Sequence, residues 1–158
     1  MRFPQKLLRY ILTENNMANT DFDQLLHTLI PFAQEMIAKH GEFFPFGSSI
    51  GMDGKIHIDN PYEDNNSPTS QLIIDLITQA FRRSALDGKI RAAGICYDVR
   101  TIPPGKNKKT DAIWISLEQR TGEAVDVIVP YKKGLFGKYS YGKLFAANRE
   151  PVFFEQKP

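Results

Sequence analysis

Apolar positions along this chain follow two periods. From Phe22 to Lys39 they recur at helical spacing, with Phe22, Leu25, Leu26, Leu29, Ala33, Met36 and Ile37 on one face. The spacing predicts a helix capped by Thr20 or Asp21, with Asp23 near its positive end and Lys39 and His40 near its negative end. Pro31 removes a backbone donor and crowds the carbonyl of His27, so a kink is expected there. Gly41 suits the left-handed position that ends a helix. A second stripe of Leu72, Ile73, Leu76, Ile77, Ala80 and Phe81 is widened by Ile74 and Leu86. It predicts a well-buried helix that opens at Ser67-Pro68 and runs to about Asp87, where Gly88 stops it.

Elsewhere the period is two. Phe44, Phe46, Ser48, Ile50 and Met52 share one face, and Lys55 to Asp59 returns after Asp53-Gly54. That dipeptide predicts a two-residue turn with positive φ at both positions. Pro45, Gly47 and Gly51 loosen the first strand, which is expected at an edge or with a bulge. Three further strands alternate cleanly: Ile95, Tyr97 and Val99; Ile113, Ile115 and Leu117; Val125, Val127 and Val129. Pro103 to Lys109 joins the first two as a longer loop, and Thr121-Gly122 joins the last two as a tight turn. The tail predicts a short strand near Tyr139, an irregular segment, and a short strand at Val152 to Phe154.

The order is helix, strand, strand, helix, strand, strand, strand. It predicts an α+β fold: an antiparallel five-stranded sheet with the two main helices packed on one face. The element order, across about Phe22 to Tyr131, is similar to the roadblock and longin type of profilin-like module. That resemblance lies in the order alone, with no diagnostic motif of those families, and fold does not fix function. No repeat or linker divides the chain, so residues 20–158 are expected to form one domain behind an extension of residues 1–19. Within that extension Arg2, Lys6 and Arg9 alternate with Leu7, Leu8, Ile11 and Leu12. It reads as a short amphipathic helix, or as a mobile segment with Met17 as the functional start.

Composition bounds the rest. A chain of 158 residues can bury a sizeable core without staples. One cysteine excludes an internal disulfide, leaves no ordinary zinc site and suits a cytoplasmic location. No apolar run approaches the ~18 residues of a spanning helix. The net charge of +2 conceals a split. Residues 21–88 carry four basic and ten acidic side chains, net −6, while residues 89–158 carry thirteen and seven, net +6.

The basic half holds two candidate features. Lys106, Lys108 and Lys109 lie on the Pro103–Lys109 loop. Lys132, Lys133, Lys138 and Lys143 interleave with Tyr131, Phe136, Tyr139, Tyr141 and Phe145 in a stretch without an acid. Such residues could neutralise phosphates and stack on bases. A third feature is the sheet face opposite the valines, expected to hold Asp98, Arg100, Glu118, Arg120 and Asp126 with Cys96, Trp114 and Ile128. Partly apolar with charged edges, it reads as a surface for a partner, centred on Cys96, Asp98, Trp114, Glu118, Asp126 and Ile128. Asp98, Glu118 and Asp126 could serve acid–base chemistry if a pocket raised one pKa.

Cys96, mid-strand, reads as a buried inert thiol. His27, His40 and His57 lack metal-like spacing, and Asp59, Glu63, Asp64, Asn65 and Asn66 do not match an EF-hand. No Walker loop, G-x-S-x-G or H-E-x-x-H occurs. No cofactor or metal is therefore expected. The expected function is a small cytoplasmic protein-interaction or regulatory module that presents a sheet face or charged edge, with a homodimer as one form and no catalysis. The alternatives are phosphate or nucleic-acid binding through the basic half, and an unfamiliar enzyme using the sheet-face carboxylates.

Overall fold

The protein's computed structural model describes residues 20–60 and 69–154. The N-terminal extension, the oxygen-rich loop from residue 61 and Ser67-Pro68 lie outside the described residues.

Helix α1 spans Thr20–His40 and carries Pro31 within one continuous helix. Its stripe of Phe22, Leu25, Leu26, Leu29, Ile30, Ala33 and Ile37 is buried. Gly41 ends it at φ 78°, and its N–H donates to the Ile37 carbonyl at 2.8 Å. Strand β1 is Phe46–Gly51 and β2 is Ile56–Asp59. Gly54 alone turns left-handed here, at φ 83°, and its N–H closes the turn on the Gly51 carbonyl at 2.9 Å. The hairpin therefore lacks the expected turn with positive φ at both positions, because Asp53 instead accepts the Lys55 N–H on its side chain at 3.0 Å. β1 is interior rather than an edge, and its register with β3 shifts between Ile50 and Gly51.

Helix α2 spans Ser70–Leu86, with Thr69 capping it by accepting the Leu72 N–H at 3.2 Å. It buries Ile73, Ile77 and Phe81, while Leu72 and Leu76 stay about half exposed, so the stripe is narrower than expected. Three long strands follow: β3 (Ile90–Thr101), β4 (Thr110–Gln119) and β5 (Ala124–Lys133). A 3-10 turn at Leu135–Gly137 leads to β6 (Tyr139–Tyr141), and β7 is Phe145–Asn148.

The sheet is antiparallel in the order β2-β1-β3-β4-β5-β6, with β7 also paired to β5. It has seven strands rather than five, because β6 and β7 share the outer edge of β5 end to end. Val152 to Phe154 forms no strand. Its three N–H groups instead converge on Glu118 Oε1, at 2.7, 2.7 and 3.3 Å. A carboxylate that absorbs these donors removes the need for a ladder.

The two helices lie on opposite faces of the sheet, not on one. α1 packs with Ile50, Cys96, Ile113, Ile115, Leu117, Val125, Val127 and Val129. α2 packs with Ala93 and Ile95, of the other parity, with Phe153 and Phe154 of the tail, and with Ile90, which lies beyond the register shift in β3. Each buried Leu, Ile or Phe of these clusters contributes about 1.5–3 kcal/mol by leaving water. Two glycines set the closeness of this sandwich. A Cβ on Gly94 would meet Leu29 Cδ1 at 2.9 Å under α1, and one on Gly47 would meet Phe81 Cζ at 2.8 Å under α2. A bidentate pair ties the start of α1 to β3: Arg91 Nε and Nη2 reach the buried Asp21 carboxylate at 3.0 Å each.

Candidate functional site

The expected sheet-face set does not assemble. Cys96 pairs with Ile115 and Asp98 with Ile113, which puts both on the α1 face. Trp114, Glu118, Asp126 and Ile128 share the α2 face. The parity within each strand is as expected, but the register between β3 and β4 joins odd positions to even ones. Cys96 is fully buried, and burial, with Asp98 nearby, pushes its thiol well up. Asp98 accepts from Tyr131 Oη at 2.7 Å, and burial raises its carboxyl.

Glu118 is also spent structurally. Besides its three backbone donors, Oε2 lies 3.2 Å from Arg149 Nη1, close enough to pair but not aligned as a hydrogen bond. Burial pushes this carboxyl above the usual range, against the pull of the Phe153 and Val152 N–H groups and Arg149. Arg149 also approaches Asp126 at 3.6 Å and caps the Phe153 ring at 5.5 Å. Asp126 accepts from Ser116 Oγ at 2.7 Å. Asp98, Glu118 and Asp126 thus surround no common pocket. Among the described residues no three His, Cys, Asp or Glu side chains gather as a metal site.

The basic residues do converge. In an antiparallel sheet the β3–β4 loop and the β5–β6 turn leave the same end. Between them lies a cleft of about 710 Å³, lined by Lys106, Lys108, Lys109, Lys132, Ser140 and Tyr141 among others, and no acid lines it. Lys133 and Lys138 flank the neighbouring turn, and all six candidate lysines are exposed. Separated by sequence into two groups, they form one positive end.

The turn at this end is unusual. Gly134 N–H donates to the Lys138 carbonyl at 2.7 Å, closing a short loop. Leu135 is 87% and Phe136 98% exposed at its tip. Phe136 sits at φ 67°, ψ 16°, the left-handed region, at a cost of about 1–2 kcal/mol for a side chain with a Cβ. Gly137 beside it is also left-handed, at φ 73°. Ile102, half exposed, lies on the facing loop.

Of the five aromatics between Tyr131 and Phe145, Phe136 alone is fully exposed. Tyr131 is buried, and its ring lies 6.1 Å from Tyr139 and 6.0 Å from Tyr141. These tyrosines pack against the α1 core rather than forming an open stacking row. Burial raises the Tyr131 hydroxyl strongly, helped by its bond to Asp98, and burial pushes Tyr141 up to about 12. An unfolded tyrosine ionises near ~10, so the protonated forms favour the fold below that pH. That contribution is lost as pH rises through the folded values. Phenolate absorbance should therefore show a fraction of the tyrosines, Tyr131 and Tyr141 among them, ionising above the ordinary tyrosine pH, with that late fraction reduced in Tyr131→Phe and Tyr141→Phe. Ionisation of every tyrosine together at its ordinary pH would contradict the packing described.

A second cleft, of about 540 Å³, was not apparent from sequence. It lies between the β1–β2 hairpin and the end of α2, and Ser49, His57, Asp59 and Ser84 line it. Ser49 and His57 are cross-strand partners. No side-chain hydrogen bond links Ser49, His57 and Asp59 among the described residues, so the trio forms no relay. Proximity of Ser49 to His57 was hidden because it depends on the register of the hairpin.

The fold and the end described define an α+β protein with a lysine-rich pole. Comparison with protein-family models, curated proteins and solved structures finds no match to the chain. The likeness in element order to roadblock and longin modules is not confirmed. No helix among the described residues is long and apolar enough to cross a membrane.

Proposed function

We propose that the protein is a non-catalytic docking module that presents its basic end to a partner carrying clustered negative charge. One observation carries the reading: the β3–β4 loop and the β5–β6 turn converge on a cleft with four lysines and no acid. The charged edge is favoured over a sheet face because a helix packs on each face. Both expected carboxylate chemistry and a free thiol are weakened by the bonds and burial that occupy them. A cytoplasmic location belongs to this proposal, resting on the reduced buried thiol.

Lysine offers point charge without the planar fork of arginine, so the recognition is of charge density rather than of one oxyanion geometry. Binding of heparin, a soluble polyanion, tests it. Affinity should fall steeply with salt, and reversing Lys106, Lys108 and Lys109 to Glu together should weaken it by about tenfold to a hundredfold. Reversing Lys39 and Lys55, on other parts of the surface, should change it little. A flat salt response, or equal losses from both sets, would sink the proposal.

A further inference from the structure

We propose that the partner of this end is an anionic membrane surface, with Leu135 and Phe136 inserted as an apolar wedge between lysine-bound headgroups. The inference rests on the docking role of the basic end and names its occupant. Four observations point to lipid. The wedge is convex, with two large apolar side chains at 87% and 98% exposure on a turn of three residues. A groove would receive one protein segment, whereas a projecting tip suits a deformable apolar layer.

Next, the backbone holds the ring out: Phe136 occupies the left-handed region at φ 67° rather than relaxing onto the core. Strain in a bulky residue is a pointer to a site, when it is observed and not assumed. Third, the charge complements such a surface. Lys132, Lys133 and Lys138 flank the tip, Lys106, Lys108 and Lys109 stand on the facing loop, and residues 101–109 and 132–145 contain no acid. Lysine stems can lie along apolar surface while their ammonium groups stay with phosphates.

Finally, the exposed apolar groups include aliphatic Leu135 and Ile102, which cannot stack on bases, while the tyrosines that could stack are packed together. That separates a lipid surface from a single-stranded nucleic acid, whose binders offer rows of free rings. Apolar insertion and electrostatic attraction act together in such anchors, and neither suffices alone.

The test is co-sedimentation of the full chain with phosphatidylcholine vesicles, with and without about a third of phosphatidylserine, an anionic fraction that supports polybasic attraction. The protein should sediment with the anionic vesicles and stay in solution with the neutral ones. Leu135→Ser and Phe136→Ser, at positions that touch little of the core, should each weaken vesicle binding about tenfold or more. Both should leave heparin binding within about twofold, since neither changes the charge of the basic end. Fluorescence gives a second readout: a Leu135→Trp protein should show a blue shift with anionic vesicles but not with heparin. Vesicle binding that ignores both tip substitutions would overturn the wedge and leave the basic end standing. So would heparin or RNA binding with no vesicle binding, or loss of a protein partner alone on substituting the tip. Failure to bind vesicles and heparin alike would remove both readings together.

Discussion

Replacing Glu118 with alanine is expected to destabilise the protein by about 3–5 kcal/mol, the range for removing one partner from a buried charged network. Glu118 is fully buried and holds the N–H groups of Val152, Phe153 and Phe154 on one oxygen. Alanine leaves those donors without their acceptor and Arg149 with Asp126, at 3.6 Å, as its remaining carboxylate. It also frees Phe153 and Phe154, which pack with Ile73, Ile77 and Phe81 against the sheet. Glu118→Gln keeps a carbonyl for the three donors but turns an amide toward Arg149, so a loss of about 1–3 kcal/mol is expected. Denaturant unfolding measures both, and amide exchange at residues 152–154 should accelerate in the alanine variant. An alanine variant within about 0.5 kcal/mol of the parent, the usual scatter for ordinary surface changes, would show that the carboxylate does not hold the tail.

The second large effect lies on the opposite face. Leu29→Ala should cost about 2–5 kcal/mol, because Leu29 is fully buried where α1 crosses β3. Gly94→Ala should cost about 1–3 kcal/mol, since its new Cβ would lie 2.8 Å from Leu117 Cδ2 and 2.9 Å from Leu29 Cδ1. The two changes should offset each other. In the double variant the added methyl occupies space vacated by Leu29, giving a favourable coupling of about 0.5–3 kcal/mol. Denaturant midpoints for the four proteins of this cycle decide it. Additivity within about 0.5 kcal/mol would mean that Leu29 and Gly94 do not share a contact.

These contacts show how far the residues alone lead. α1, α2 and the three long strands follow from periodicity, with the helix bounds nearly right, while β3 begins earlier, at Ile90, and β5 runs on to Lys133. What periodicity does not convey is the partner of each stripe. Two amphipathic helices each demand an apolar surface, and one shared surface satisfies that demand as well as two. A pointer was present in the runs Ala112–Leu117 and Val125–Val129, where positions of both parities are apolar. Strands covered on both faces read as such runs. The sets around Cys96 and Trp114 were merged because parity was carried between strands without a register, and a slip of one residue exchanges the faces.

The tail was the hardest to read. Phe145–Asn148 has little alternation, yet it pairs with Val125–Ile128 as β7. Val152 to Phe154 looks like a strand, yet a carboxylate 34 to 36 residues earlier takes its donors. The candidate site was half legible. Each lysine group stood out from its neighbours, while their meeting depends on the β3-β4-β5-β6 order, and the strained Phe136 has no signature beyond its flanking glycines.

The clasp at Glu118 also has a consequence in time. A ribosome releases a chain from its N-terminus at roughly 5–20 residues per second. Residues of α1 and strands β1 to β4 are therefore made well before the tail. The layer under α2 is completed only by Phe153 and Phe154, and Glu118 lacks its three donors until residues 152–154 arrive. The α1 side waits too, since Leu144 belongs to its core. Both sides of the sheet close late, the α2 side last, which makes the clasp a final step in the birth of the molecule.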